Sequence, residues 1–412
     1  MPTRGHVTAA ARKDVSVQQS LSGTRVILHG ARKCDVDGET DGFWVVFDGD
    51  RIAATGQGPG WAAHAAEGAD VVDAAGAVLT PGFIDLHSHG GGGFSFDDVA
   101  AVPGGAAAAE GALSVHRARG TTRSLLSLVA NPVAALERSL AAIADMAERD
   151  PLVLGSHLEG PFLAPSRKGA HNPDFLISPS PAVVEPLLAA ARGTLRQVTI
   201  APELPGALDA VGALAEAGVV VAVGHTEADE EQAQAAFERG ARLLTHAFNA
   251  MPGIGHRAPG PVVAAIRDER VTAELVLDGV HVHPDVARLL LDAADGRVAL
   301  ITDAMAAAGA ADGSYPLGSL RVAVVDGVAR LAGPDGAIAG STLTQDRALR
   351  LATGRCGMSL RAAVTALTLV PARVLGTDHW LGRLAPGYAA DAVLLDDAYE
   401  VRAVWGAGRR LA

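Results

Sequence analysis

Between residues 83 and 302 the chain alternates short apolar runs with longer segments of helical spacing, and this rhythm restricts the fold more than any other feature of the sequence. Runs at 83–86, 121–128, 152–157, 197–200, 219–223, 243–245, 274–277 and 298–302 predict strands. Segments at 106–119, 133–148, 207–217, 229–239 and 284–293 predict helices between them. Strands that alternate with helices pair in parallel, and eight such repeats predict an α/β fold of the TIM-like (β/α)8 barrel type. That architecture gathers whatever follows each strand at one end of the barrel, so residues just past the strand ends are expected to converge.

Several of those positions carry metal-binding side chains. His87 and His89 follow the first run, Glu159 the third, His225 the fifth, His246 the sixth and Asp303 the eighth. Residues i and i+2 of a strand point to one side, so His87 and His89 can face a single ion. One such residue alone is more often a capping or core hydrogen-bond partner, and a bare His-x-His pair is common. Six of them at five of the eight strand ends point to one or two divalent ions, Zn2+ or Fe2+, in a hydrolase. The glycine run at 90–93 is not a phosphate cradle, because no Gly-Lys-Ser/Thr follows; a wide loop after the first strand accounts for it.

Outside the barrel segment the texture changes. Residues 1–20 are polar and aperiodic and are expected to form a disordered, dispensable leader. From 21 to 80 short β-type runs are broken by Asp-Gly pairs at 37–38, 41–42 and 48–49, and further runs lie at 392–395 and 401–405. A small β-sandwich domain built from 21–80 plus 385–412 is expected, with the metal-dependent barrel at 81–384. β-type alternation is also read at 320–331, with a turn at Asp326-Gly327, and helices at 341–352 and 360–369, the second stopping at Pro371. A net charge of −12 argues against a nucleic-acid partner. No apolar run reaches the roughly 18 residues of a membrane span, and no apolar segment near the start suggests a secretory signal, so a cytoplasmic location is expected. The 2 cysteines, Cys34 and Cys356, make no disulfide framework.

A series of motifs runs through the chain in order. They are Pro-Gly-Phe-Ile-Asp at 81–85, His-Leu-Glu-Gly-Pro-Phe at 157–162, Lys-Gly-Ala-His-Asn-Pro at 168–173 and Ala-Pro-Glu at 201–203. Gly-His-Thr at 224–226, Thr-His-Ala-Phe-Asn-Ala-Met-Pro at 245–252, Asp-Gly-Val-His at 278–281 and Thr-Asp-Ala at 302–304 follow. With these, the chain from about residue 24 to its end resembles the amidohydrolase superfamily and, within it, the N-acetylglucosamine-6-phosphate deacetylases. The resemblance implies hydrolysis of a phosphorylated N-acetyl amino sugar. Many superfamily members bridge two metals with a carbamylated lysine after strand four; here that segment reads Gln-Val-Thr-Ile-Ala-Pro-Glu and Lys168 lies in a loop. Glu159 is the natural substitute, bridging a His87/His89 position and a His225/His246 position. Some deacetylases replace the His-x-His pair with amides and bind one metal, whereas this chain keeps both histidines. By the same resemblance Asp303 is the general base, and His171 contacts the sugar and steadies the oxyanion. Arg257 and His281, with Asn249 and Ala250, would hold the phosphate. In relatives that arginine crosses a dimer interface, so a homodimer is implied. N-acetylgalactosamine-6-phosphate as substrate stays open at this stage. The missing lysine and the 168–173 loop count against a dihydroorotase, dihydropyrimidinase or dipeptidase, and a full ligand set counts against an inactive scaffold.

Overall fold

The computed structural model describes residues 25–332 and 336–412, so the leader expected at 1–20 lies outside the described residues. Strand β1 (Val26–Asp35) pairs antiparallel with β2 (Gly38–Asp48), and Gly49, at φ +61°, turns β2 into β3 (Arg51–Gln57). β4 (Asp70–Asp73) and β5 (Val78–Pro81) run parallel to successive halves of β1. Strands Ala392–Leu395, Val401–Gly406 and Arg409–Arg410 continue the sheet beyond β5, so this eight-stranded sheet draws on both ends of the chain.

Eight parallel strands then follow in sequence order: β6 (Phe83–Asp85), β7 (Thr121–Leu128), β8 (Val153–Glu159), β9 (Leu195–Ile200), β10 (Val220–Val223), β11 (Leu243–Leu244), β12 (Thr272–Val276) and β13 (Val298–Ile301). Past its last strand the sheet closes on its first through a bridge between Ser88 and Ala304. The His89 N–H donates to the Ala304 carbonyl at 2.7 Å and the Asp303 N–H to the His87 carbonyl at 2.8 Å. Asp85 reinforces the seam by accepting from the Thr302 hydroxyl at 2.6 Å. Period-two alternation sorts the strand side chains into two layers. Leu275 and Leu300 pack outward in the main core beneath the helices, while Val276, Ile301 and Ile84 share a separate inner cluster.

The helices are α1 (Gly105–Arg117), α2 (Val133–Arg149), α3 (Pro181–Ala191), α4 (Ala207–Glu216), α5 (Glu230–Arg239), α6 (Gly260–Arg267), α7 (Pro284–Ala293), α8 (Gln345–Gly354), α9 (Leu360–Leu367) and α10 (Leu369–Val374). Three of them, α3, α6 and α10, are not legible in the sequence. α3 holds Pro181 and Pro186, and α6 opens on Gly260-Pro261, residues that read as loop. A proline in the first turn gives up only an N–H that has no intrahelical acceptor, so both helices can start there. The same reasoning corrects the expected stop at Pro371: α9 ends at Leu367, and Pro371 sits in the first turn of α10. After β13 an antiparallel hairpin sheet is inserted, β14 (Gly313–Leu317), β15 (Leu320–Val325) and β16 (Val328–Leu331), of which only the later part was expected. Its Leu317, Val322 and Val324 pack on Val129 and Met305, beside the ends of β7 and β13.

One buried ion pair joins the barrel to the C-terminal strands. Arg123 on β7 reaches Asp391 with two guanidinium nitrogens, at 2.7 and 3.1 Å, and Asp391 also accepts from the Ala407 N–H at 2.7 Å. Removing one partner of such a pair strands a buried charge. Arg123→Ala is therefore expected to cost about 3–5 kcal/mol in denaturant unfolding; a loss under about 1 kcal/mol, the worth of an exposed pair, would contradict it. Among the described residues no helix is long and apolar enough to cross a membrane.

Candidate metal centre

The strand-end residues converge because the backbone turns sharply where each strand stops. His225, His246 and Asp303 each stand two residues past the end of β10, β11 and β13, and all three have positive φ, +48°, +26° and +48°. A non-glycine residue there costs on the order of 1–3 kcal/mol and persists only where its surroundings enforce it. Gly224 shows that enforcement, since a Cβ on it would come within 2.6 Å of Thr245 Cβ.

Glu159, the last residue of β8, is the hub. Its Oε1 lies 3.1 Å from His225 Nε2, 2.9 Å from His246 Nε2 and 3.5 Å from His87 Nε2. Its Oε2 lies 3.1 Å from His89 Nε2 and 3.2 Å from His171 Nε2. The histidines pair on either side of it, His87 with His89 and His225 with His246, each pair with its Nε2 atoms 3.0 Å apart. Asp303 Oδ1 stands 3.5 Å from Nε2 of both His87 and His89. All seven side chains are buried.

Tautomers decide what these contacts mean. His225 Nδ1 donates to the Arg167 carbonyl at 2.8 Å, and His87 Nδ1 donates to Glu274 at 3.3 Å. A ring so held needs a proton or a cation between its Nε2 and the carboxylate oxygens, which are otherwise acceptor against acceptor, and the arrangement fits a cation. The spacings agree: donors about 2.1 Å from one ion lie roughly 3.0–3.4 Å apart. Charge agrees as well. Glu159, Asp303 and Glu274 are buried, and among the described residues none has a lysine or arginine partner. Burial works against a proton on His87, yet the charges of Glu159 and Asp303 outweigh it and pull the ring well above the imidazole range. That is the potential a divalent ion would occupy.

His171 belongs to the same cluster in a different capacity. Its Nδ1 accepts from the Ala130 N–H at 3.1 Å, so its proton sits on Nε2 and points at Glu159. Burial, only partly offset by Glu159, pushes it down to about 4 and keeps it a neutral donor. His281 hydrogen-bonds Asp278 through Nδ1 at 2.7 Å. Burial lowers its pKa, but the Asp278 hydrogen bond and the charges of Asp278 and Asp303 raise it more, so it holds a proton more readily than a free imidazole. Asn249 and Ala250 line the cavity with His281; Arg257 does not, being exposed in the loop that precedes α6.

Three polar residues beneath the cluster escaped the sequence reading. Glu274 on β12 accepts from His87 Nδ1 and from Gln197 Nε2, the latter at 2.8 Å. His157 is held between the Ser127 and Thr199 hydroxyls, both at 2.9 Å, with its ring edge-on to His87 at 4.5 Å. A carboxylate and an amide inside otherwise apolar barrel strands were the available signal for Glu274 and Gln197. The cavity above the cluster has a volume of about 330 Å3, near the lower bound for small-molecule sites. His89, His171, His225, His246, Glu159 and Asp303 form its floor, and Val129, Ala170, Leu317 and Ile338 an apolar wall.

Comparison with known proteins places this geometry. Residues 78–411 match the model of the amidohydrolase family. The chain is 40% identical over 337 residues to the N-acetylgalactosamine-6-phosphate deacetylase of Escherichia coli O157:H7, covering 81% of this chain and 87% of the relative. It is 34% identical over 357 residues to the N-acetylglucosamine-6-phosphate deacetylase of Lysinibacillus sphaericus, covering 84% and 88%. Among solved structures, an aspartate-to-alanine mutant of Mycobacterium smegmatis N-acetyl-D-glucosamine-6-phosphate deacetylase, in complex with N-acetyl-D-glucosamine-6-phosphate, superposes with a TM-score of 0.87 at 41% identity. The match covers 95% of this chain and 100% of that one.

Proposed function

The chain belongs to the amidohydrolase family, and we propose that it is a metal-dependent deacetylase that converts N-acetylglucosamine-6-phosphate to glucosamine-6-phosphate and acetate. The observation that carries the reading is Glu159 set between two histidine pairs on the floor of a cavity sized for one sugar. The galacto epimer is the second reading, favoured by the E. coli relative.

Glu159 with His225 and His246 would hold one divalent ion, and His87, His89 and Asp303 with the other face of Glu159 a second; Zn2+ and Fe2+ both suit these donors. When bound, such ions supply Lewis-acid chemistry and lower the pKa of a water to about 7. The chain's own groups do the rest. The Asp303 carboxylate takes the proton of the attacking water as its oxygen bonds to the amide carbon. His171, a neutral Nε2–H donor, hydrogen-bonds the oxygen on which charge develops. As the C–N bond breaks, Asp303 returns the proton to the amine nitrogen, and acetate is left. His281, Asn249 and Ala250 face the sugar and its phosphate. Arg257, exposed in its own chain, would reach the site of a second copy, which makes the protein a homodimer; a guanidinium fork suits phosphate oxygens. A cytoplasmic setting fits a phosphorylated substrate.

Acetate release from N-acetylglucosamine-6-phosphate, its galacto epimer and unphosphorylated N-acetylglucosamine tests the assignment. The phosphorylated gluco sugar is expected to be turned over fastest. Faster turnover of the galacto epimer would shift the assignment to the second reading, and equal rates with and without phosphate would remove the phosphate site.

A further inference from the structure

The two histidine pairs are supported unequally from behind. On one side, His225 Nδ1 donates to a backbone carbonyl, that of Arg167, at 2.8 Å. On the other, His87 Nδ1 donates to the carboxylate of Glu274 at 3.3 Å, and Gln197 Nε2 steadies the same carboxylate at 2.8 Å. His87, Gln197 and Glu274 are all fully buried. Gln197 is held with its own Oε1 unpartnered among the described residues, so its amide is committed to orienting Glu274. No comparable group backs His89 or His246, whose Nδ1 atoms also lack a partner among the described residues.

We propose that Glu274, oriented by Gln197, is a positioning residue that governs whether the His87/His89 position takes a cation, leaving the His225/His246 position independent of it. Two effects act together. The carboxylate fixes the proton of His87 on Nδ1, so Nε2 presents its lone pair beside His89 Nε2, 3.0 Å away. Its negative charge, passed through the ring, also makes that lone pair more basic; a carbonyl behind His225 supplies no such charge. The inference rests on the metal-dependent reading above.

The test measures ions per chain by elemental analysis, and Zn2+ affinity by competition with a chromophoric chelator. It compares the wild-type protein, Glu274→Gln, His87→Ala and the double variant. Wild type is expected to hold two ions. E274Q should weaken one position by about 10–100-fold, the usual effect of removing a group behind a ligand, and leave the other unchanged. H87A should lose the same ion, and the double variant should match H87A, because Glu274 acts only through that ring. Unchanged affinity at both positions in E274Q, or equal weakening of both, would overturn the inference while leaving the metal reading intact. A wild type that binds no ion would overturn that reading instead. If E274Q fails to fold, Gln197→Leu takes its place, with several-fold weakening at the same single position expected and no change contradicting the proposal.

Discussion

Asp303→Asn is expected to lower kcat by about 10²–10⁴-fold, the usual worth of a positioned general base. The carboxylate lies at the end of β13, in a backbone conformation that holds it over the cavity floor, 3.5 Å from both His87 and His89. An amide of the same shape keeps that placement and cannot accept the proton. Its contacts fall on one histidine pair only, so the ion held by His225 and His246 should stay bound, which elemental analysis of the variant would check. A D303N enzyme with near-normal kcat would remove Asp303 from the proton path.

A larger loss is expected for Glu159→Gln. This carboxylate touches the Nε2 atoms of five histidines, His87, His89, His171, His225 and His246, and is the one group common to both positions. Neutralising it withdraws an anionic donor from both at once, and the Lewis acid is worth several kcal/mol, on the order of 10³–10⁴-fold in rate. The effect should also appear without turnover. A bound ion stabilises the native state by mass action, so Zn2+ should raise the Tm of the wild type and leave that of E159Q nearly unchanged. A normal Zn2+-induced shift in E159Q would show that Glu159 is not the shared ligand.

The barrel was legible because eight short apolar runs from Phe83 to Ile301 are separated by segments of helical spacing in most of the gaps, and because the fold dictates where strand ends meet. His87, His89, Glu159, His225, His246 and Asp303 could therefore be named as strand-end candidates, and the structure brings the four histidines within 3.5 Å of Glu159 and Asp303 within 3.5 Å of His87 and His89. Local signals failed where tertiary packing overrode them. α3 and α6 form in spite of their prolines, and β14 forms in spite of Gly313 and Pro316. Glu274 was passed over for a different reason: a carboxylate in a five-residue strand is a signal without spacing, and its meaning comes from His87, which lies 187 residues earlier. Arg257 is exposed and does not line the cavity of its own chain.

The most direct test is acetate release from N-acetylglucosamine-6-phosphate by protein stripped with a chelator, measured before and after adding back Zn2+ or Fe2+. Activity that disappears on stripping and returns with the ion is the predicted result. Turnover that survives complete removal of metal would contradict the account, because the histidines, Glu159 and Asp303 would then be assembled for something other than this hydrolysis.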